Sequence, residues 1–182
     1  MTYIPRTTEP SLDNLYYIVT SAGGYNECIE IANGSALPNC VGYAWGATYE
    51  ATGERPTLSR NVAAGWFGYT EDGYQRGSIP ALGAIACYSG GTGGDGHVAV
   101  VIEVYDNGDI ETANSAYGGS RWWSQRITKA SNYNFQSGYI FQGFIYAGDV
   151  PIPPIGVSGK FPWVLYARKL RGRRWLYEEK SN

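Results

Sequence analysis

The sequence contains a single histidine, His97, and a cysteine 57 residues before it, Cys40, and these two residue types could form a cysteine nucleophile with an imidazole base. After Asn39, apolar residues recur at intervals of three and four as far as Gly53. This spacing predicts a helix with Asn39 as its N-cap and Gly53 just beyond its end. Cys40 is therefore predicted to lie in the first turn of a helix.

A helix N-terminus could activate this cysteine. The unpaired N–H groups and the positive end of the helix dipole stabilise negative charge, so the position predicts a lowered pKa for the Cys40 thiol. The thiolate, rather than the thiol, is the attacking species. The same terminus can stabilise the oxyanion that forms during acyl transfer. We therefore assign the oxyanion hole to the backbone N–H of Cys40 and the side-chain amide of Asn39.

His97 opens an apolar run that predicts a β-strand, and a third polar group must hold its other ring nitrogen. The candidates lie on the next predicted strand, after the turn signal Asp-Asn-Gly-Asp. A two-residue turn puts Asn114 on the face of His97 but about 13 Å along the ladder, so this contact also needs a bulge. A three-residue turn with a bulge at Gly108 puts Glu111 and Ser115 there instead. The residues alone leave both alternatives open.

The apolar pattern changes from helical to extended along the chain. Helical spacing covers residues 12–19 as well as the segment after Asn39. From residue 82 onwards, short apolar runs bounded by Gly, Asn and Asp predict strands. These runs cover residues 84–88, 97–105, 109–115, 121–127 and 139–146. We predict an α+β fold in which N-terminal helices pack on an antiparallel β-sheet.

The composition favours one domain with an aromatic surface. The chain has 182 residues, including 16 Tyr, 6 Trp and 25 Gly, which suits a β-rich fold and a sugar or peptide substrate. Four aromatic residues are predicted to line a substrate cleft, with a place in the core as the alternative. They are Trp66, Tyr69, Tyr117 and Trp122, and the adjacent Trp123 is a further candidate. The other two cysteines, Cys28 and Cys87, are predicted to be buried thiols, because three cysteines are too few for a disulfide framework or a zinc site.

The charge divides the chain into a body and a tail. Residues 1–150 carry 7 basic and 14 acidic side chains, whereas residues 151–182 carry 7 basic and 2 acidic ones. We predict a domain over residues 1–148, a Pro-rich linker over 149–159 and a basic aromatic tail over 160–182. The tail suits an anionic wall polymer or membrane surface, or else packs on the acidic body. No stretch predicts a signal peptide or a transmembrane segment.

Four stretches of the sequence, in this order, resemble the successive motifs of the CHAP family of cysteine, histidine-dependent amidohydrolases and peptidases. They are NCVGYAWG at 39–46, PALGAIACY at 80–88, GHVAVV at 96–101 and NSAY at 114–117. The resemblance covers residues 15–147 and implies a papain-like α+β fold. It also implies that Cys40 is the nucleophile, His97 the base and Asn114 the residue that orients the histidine.

The sequence departs from the family pattern at two positions. Many members have Asp where this chain has Ala84, and many have Glu as the third catalytic residue where this chain has Asn114. Some members hold calcium in an acidic loop ahead of the cysteine. The equivalent residues here, Asn26, Glu27 and Glu30, are too sparse for such a site. We predict neither a metal nor another cofactor.

The resemblance implies cleavage of an amide bond in bacterial peptidoglycan, either within the peptides or between muramic acid and alanine. We expect a bacteriophage endolysin that stays in the host cytoplasm until release and then acts on the cell wall. We expect a monomer with no nucleic-acid partner. The alternatives are an inactive wall-binding or phage tail-structure module, and a cysteine amidase or peptidase acting on a soluble peptide.

Overall fold

A computed structural model describes residues 3–19 and 35–149. Within these ranges the chain forms one α-helix and eight β-strands. In chain order they are β1 (Tyr17–Val19), β2 (Ser35–Leu37), α1 (Cys40–Thr52), β3 (Arg76–Gly77), β4 (Ile85–Gly90), β5 (His97–Val104), β6 (Ile110–Asn114), β7 (Trp123–Ile127) and β8 (Tyr139–Ile145). The predicted α+β class is confirmed, and the later five strands match the five predicted extended runs.

Helix α1 begins and ends where its capping residues predict. The Asn39 side-chain oxygen accepts hydrogen bonds from the backbone N–H groups of Val41 and Gly42, at 2.9 and 3.4 Å. At the other end Gly53 adopts a left-handed conformation with φ 73° and donates its N–H to the Tyr49 carbonyl. Both caps satisfy backbone groups that the helix itself leaves unpaired, so Cys40 is held as the first helical residue.

Six strands form an antiparallel sheet in the order β3-β8-β4-β5-β6-β7. Across β4 and β5, Cys87 lies opposite Val98 and Tyr88 lies opposite His97. Cys87 and Val98 belong to the core cluster that includes the buried residues of α1. Tyr88 belongs to a second cluster, rich in aromatic residues, on the opposite face of the sheet. His97 therefore points away from the face on which α1 packs.

The predicted helix over residues 12–19 is wrong. Leu12 and Leu15 are 76% and 81% exposed, so the helically spaced residues do not form a buried stripe. The Asn14 side chain accepts a hydrogen bond from the Tyr16 N–H at 2.8 Å, a local turn that competes with a helix. The aromatic and β-branched residues that follow form β1 instead, which pairs in parallel with β2.

Several sequence predictions lie outside the described residues. These are the burial of Cys28, the segment with Asn26, Glu27 and Glu30, and the linker and tail from residue 150 onwards. In the part of the chain that the structure describes, every helix is too short or too polar to cross a membrane.

Candidate active site

Cys40 lies where the start of α1 meets the ends of two strands. Its sulfur accepts backbone hydrogen bonds from Val98, from Val41 and from its own N–H. The Asn39 N–H donates to the Ser115 hydroxyl at 3.0 Å, which ties the helix start to the end of β6. The thiol thus lies beside the backbone of Val98, the residue that follows His97, where β5 begins.

Burial outweighs the helix N-terminus in setting the acidity of this thiol. Desolvation raises the pKa of Cys40, the three backbone hydrogen bonds lower it, and the Asp95 carboxylate adds a smaller upward effect. The net shift is upward, so the expected lowering of the pKa is wrong for this structure. The reason is that the thiol is largely enclosed, and removing water disfavours the charged thiolate.

Asn114 holds the His97 ring. Its side-chain oxygen lies 3.0 Å from His97 Nε2. Its amide nitrogen donates to the carbonyl and the hydroxyl of Thr112, both at 3.1 Å, which leaves the oxygen facing the imidazole. An oxygen acceptor at Nε2 selects the tautomer with the proton on Nε2, so Nδ1 carries the lone pair.

Two irregularities in the β5–β6 hairpin explain this contact. The turn has the three-residue form, because Gly108 donates its N–H to the Tyr105 carbonyl at 2.8 Å and has φ 84°. The register then shifts between Val101 and Glu103, so the intervening residue has no direct partner. One extra residue exchanges the two faces of the strand beyond it. The shift brings Asn114 onto the face of His97.

The same register excludes the other two candidates for the orienting residue. Glu111 pairs with Glu103, on the turn side of the shift. Ser115 binds the Asn39 backbone, at the start of α1. Asn114 is therefore the residue that the fold brings to His97, although its catalytic role remains a prediction.

Four aromatic side chains surround the imidazole. Of these, only Trp123 was expected near the site, as a candidate cleft residue, and none was expected to contact His97. The nearest is Phe135, whose ring is stacked on His97 with centroids 4.5 Å apart. Trp123, Tyr139 and Tyr88 follow with centroid distances of 6.2, 6.2 and 6.3 Å. They come from three strands and a loop, so no local sequence signal connects them with His97.

This environment keeps the imidazole uncharged. His97 is 6% exposed. Desolvation lowers the pKa of His97 from 6.5 to about 4, and the hydrogen bond that Nε2 donates to the Asn114 oxygen offsets part of that effect. Both groups of the predicted pair are therefore neutral near pH 7 in this structure. Among the hydrogen bonds of the described residues there is none between the Cys40 sulfur and the His97 ring.

The four predicted substrate-contacting aromatics have different environments. Trp66 is 0% exposed and donates its indole N–H to the Asn61 carbonyl at 2.9 Å. It is a core residue that a substrate cannot reach, so its assignment to the cleft is corrected. Trp122 is half-buried and donates to the Tyr43 hydroxyl at 3.1 Å, whereas Tyr117 is 59% exposed on the loop after β6.

Tyr69 lines a groove of about 480 Å³. The other residues of this groove are Arg55, Pro56, Thr57, Leu58, Ser59, Arg60, Asn61 and Glu71. Tyr69 borders this groove, Tyr117 is exposed and Trp122 is half-buried. All three therefore remain predicted substrate contacts.

Cys87 is fully buried, as predicted, and desolvation raises its pKa. Its burial makes it unsuitable as a second nucleophile. The described ranges contain no cluster of three or more His, Cys, Asp or Glu side chains that could hold a metal ion.

Comparison with known proteins finds a similarity that covers the residues of this site. Residues 30–116 match the family model of the CHAP domain. A solved structure of N-acetylmuramoyl-L-alanine amidase from Staphylococcus aureus is similar at 20% sequence identity with a TM-score of 0.44, covering 63% of this chain. The chain spans about a third of that protein's length, since the match covers 33% of it. The segment that matches the CHAP family model includes Cys40, His97 and Asn114.

Proposed function

We propose that this protein is a peptidoglycan hydrolase that cleaves an amide bond through an acyl-enzyme on Cys40. The observation that carries the proposal is the position of a cysteine thiol at the capped start of α1, beside the strand whose first residue is a histidine held by an asparagine. The CHAP domain match supports an amidase or peptidase acting on the cell wall.

The first chemical step joins thiol deprotonation to attack. As the Cys40 sulfur forms a bond to the amide carbon, its proton passes to Nδ1 of His97, the ring nitrogen that Asn114 leaves available. This transfer needs the two groups to come within hydrogen-bonding reach when substrate binds. Catalytic hydrogen bonds often tighten in this way in the substrate complex. A neutral pair is suited to it, because the imidazole keeps its lone pair well below pH 7.

The remaining steps release the two products. The C–N bond breaks as the imidazolium returns its proton to the leaving amine. Water then attacks the thioester carbon while His97 accepts one of its protons. As the C–S bond breaks, the imidazolium returns that proton to the sulfur, and the acyl group leaves as a carboxylic acid. The Cys40 backbone N–H, with the Asn39 amide, stabilises the oxyanion in both halves of the reaction.

Mass spectrometry of digested sacculi tests this function directly. We expect the wild-type protein to release muropeptides with a new amine, and the identity of the fragment reports which bond is cut. Cys40→Ala and His97→Ala should each lose this activity, whereas the matched control Cys87→Ala, which removes a fully buried thiol that a substrate cannot reach, should retain it. Equal digestion by wild type and Cys40→Ala would contradict the proposal.

The biological role follows from the same proposal. We infer that the protein acts as a phage endolysin that reaches the wall from the host cytoplasm. Its basic aromatic tail, residues 160–182, would bind an anionic wall polymer or membrane surface. The family match supports wall hydrolysis, and the endolysin role is the finer part of the proposal.

A further inference from the structure

The loop between β7 and β8 places an aromatic ring against His97, the candidate base. Phe135 stacks on the His97 imidazole with an interplanar angle of 22° and a centroid distance of 4.5 Å. This is the shortest of the four aromatic contacts of His97, and Phe135 is itself only 9% exposed. The ring therefore covers one face of the imidazole and excludes water from it.

Three hydrogen bonds fasten this loop to neighbouring strands and their connecting turn. They run from Lys129 N to Asp109 Oδ1 at 3.0 Å, from the Tyr133 hydroxyl to the Gly108 carbonyl at 2.9 Å, and from Gln125 Nε2 to the Phe135 carbonyl at 3.1 Å. The last of these bonds holds the backbone of Phe135 itself. These bonds hold the segment that carries the Phe135 ring in place.

The loop backbone adopts an unfavourable conformation just before Phe135. Asn132 and Tyr133 both have left-handed φ values, 54° and 56°. This region is uncommon for side chains with a Cβ, and a bulky aromatic residue there is a marked exception. Such a conformation persists where surrounding contacts hold it, and it often accompanies a functional constraint.

We propose that Phe135 is a positioning residue for His97, whose ring holds the imidazole in the orientation that meets Asn114. The proposal rests on the proposed function in one respect, which is that His97 is the catalytic base. Without Phe135 the imidazole gains rotational freedom and contact with water. Its Nδ1 is then less often directed for proton transfer, although every group that reacts is still present.

The other groups around the imidazole allow a clean test. Tyr88 from β4, Tyr139 from β8 and Trp123 from β7 contact the ring, and Asn114 from β6 binds it. The titratable ones are the two phenols, and within the described residues no carboxylate or cationic side chain affects the pKa of His97. Removing Phe135 therefore changes the solvation of the imidazole without removing a charge.

NMR titration of this 182-residue chain measures this effect, since His97 is its single histidine and its ring signals are unambiguous. We expect wild type to titrate near pH 4, and Phe135→Ala to titrate closer to the ordinary value of 6.5. Phe135→Tyr, which keeps a ring at this position, should restore the wild-type midpoint.

The matched control is Phe141→Ala. Phe141 contacts Tyr88, Tyr133 and Phe144 in the same aromatic cluster but makes no ring contact with His97. This variant should lose a similar amount of apolar packing and leave the histidine titration unchanged. It thereby separates a general loss of packing from the loss of the stacked ring.

Kinetics on peptidoglycan give the second readout. In Phe135→Ala, kcat should fall by up to about 100-fold with little change in KM, and the acid limb of the rate profile should move to higher pH. If Phe135→Ala fails to fold, Phe135→Leu gives the same comparison with less loss of volume. A folded variant with an unchanged histidine titration would overturn the proposal. Inactivity of the wild-type protein would instead refute the proposed function, because the titration requires no hydrolysis.

Discussion

Asn114 has its side-chain amide fixed on one side by Thr112 and offers its oxygen to His97 on the other. The residue is 0% exposed, so water cannot replace it as a partner for the ring. Its oxygen selects the tautomer of His97 and would favour the imidazolium that the proposed attack forms. At the residue scale, it is therefore the side chain with the most direct influence on the base.

We predict that Asn114→Ala lowers kcat/KM without abolishing the fold. Losing a buried hydrogen-bond partner costs about 1–3 kcal/mol, which corresponds to roughly a 5- to 150-fold loss if it is felt in the transition state. Asn114→Asp is the informative companion, because its carboxylate should raise the pKa of His97. Steady-state kinetics and histidine NMR measure the two effects. An Asn114→Ala enzyme as active as wild type would show that the ring needs no such partner.

At the scale of elements, the start of α1 combines two tasks in one residue. The Asn39 oxygen caps the helix, and its amide is assigned to the oxyanion hole. The Asn39 backbone also binds Ser115, so the helix start is fixed relative to β6. Loss of the cap and loss of the amide are therefore expected to have separate consequences.

Two substitutions at this position separate the tasks. Asn39→Ala should lower the free energy of unfolding by about 1 kcal/mol, because the N–H groups of Val41 and Gly42 lose their acceptor. Asn39→Ser keeps a capping oxygen and should be nearly as stable as wild type. It lacks the amide, so kcat should fall by about 100- to 1000-fold if that amide stabilises the oxyanion. Urea unfolding and kinetics measure the two quantities, and full activity of Asn39→Ser would remove Asn39 from the oxyanion hole.

At the scale of the whole molecule, the burial of His97 links the fold to pH. Its pKa is lowered from 6.5 to about 4, so between these values the unfolded chain binds a proton that the folded chain does not. The contribution of His97 to the free energy of unfolding is therefore largest above pH 6.5 and decreases as the pH falls towards 4. Asp109, whose pKa is lowered mainly by the Lys129 N–H, contributes in the same direction at still lower pH.

We predict that acidification from pH 6.5 to pH 4 lowers the free energy of unfolding by up to about 3 kcal/mol through His97 alone. His97→Gln cannot gain this proton and should lose less stability over the same range. Denaturant unfolding at several pH values gives both curves. Parallel curves for wild type and His97→Gln would show that the imidazole is not desolvated in the folded protein.

Local signals in the sequence determined much of the framework. The Asn39 cap, the helical spacing after it and Gly53 predicted α1 to within a residue, because caps and periodicity act over a single turn or element. The strands around His97 and the hairpin turn were predictable for the same reason. The conformation of residues 12–19 was not predictable in this way. Their apolar spacing fits a helix, and only the pairing of β1 with β2 makes residues 17–19 a strand.

Tertiary structure decided the features that depend on distant residues. The register shift after Val101 selects Asn114 as the partner of His97, and one extra residue in a strand is enough to exchange its faces. Three of the four aromatic residues around His97 lie 26 to 42 positions further along the chain, and the fourth, Tyr88, comes from the preceding strand. Burial raised the pKa of Cys40 where the helix position alone predicted a lower one. The residue types and their order determined the candidate chemistry. The folded environment decided the protonation states of Cys40 and His97, because desolvation depends on everything packed around a group.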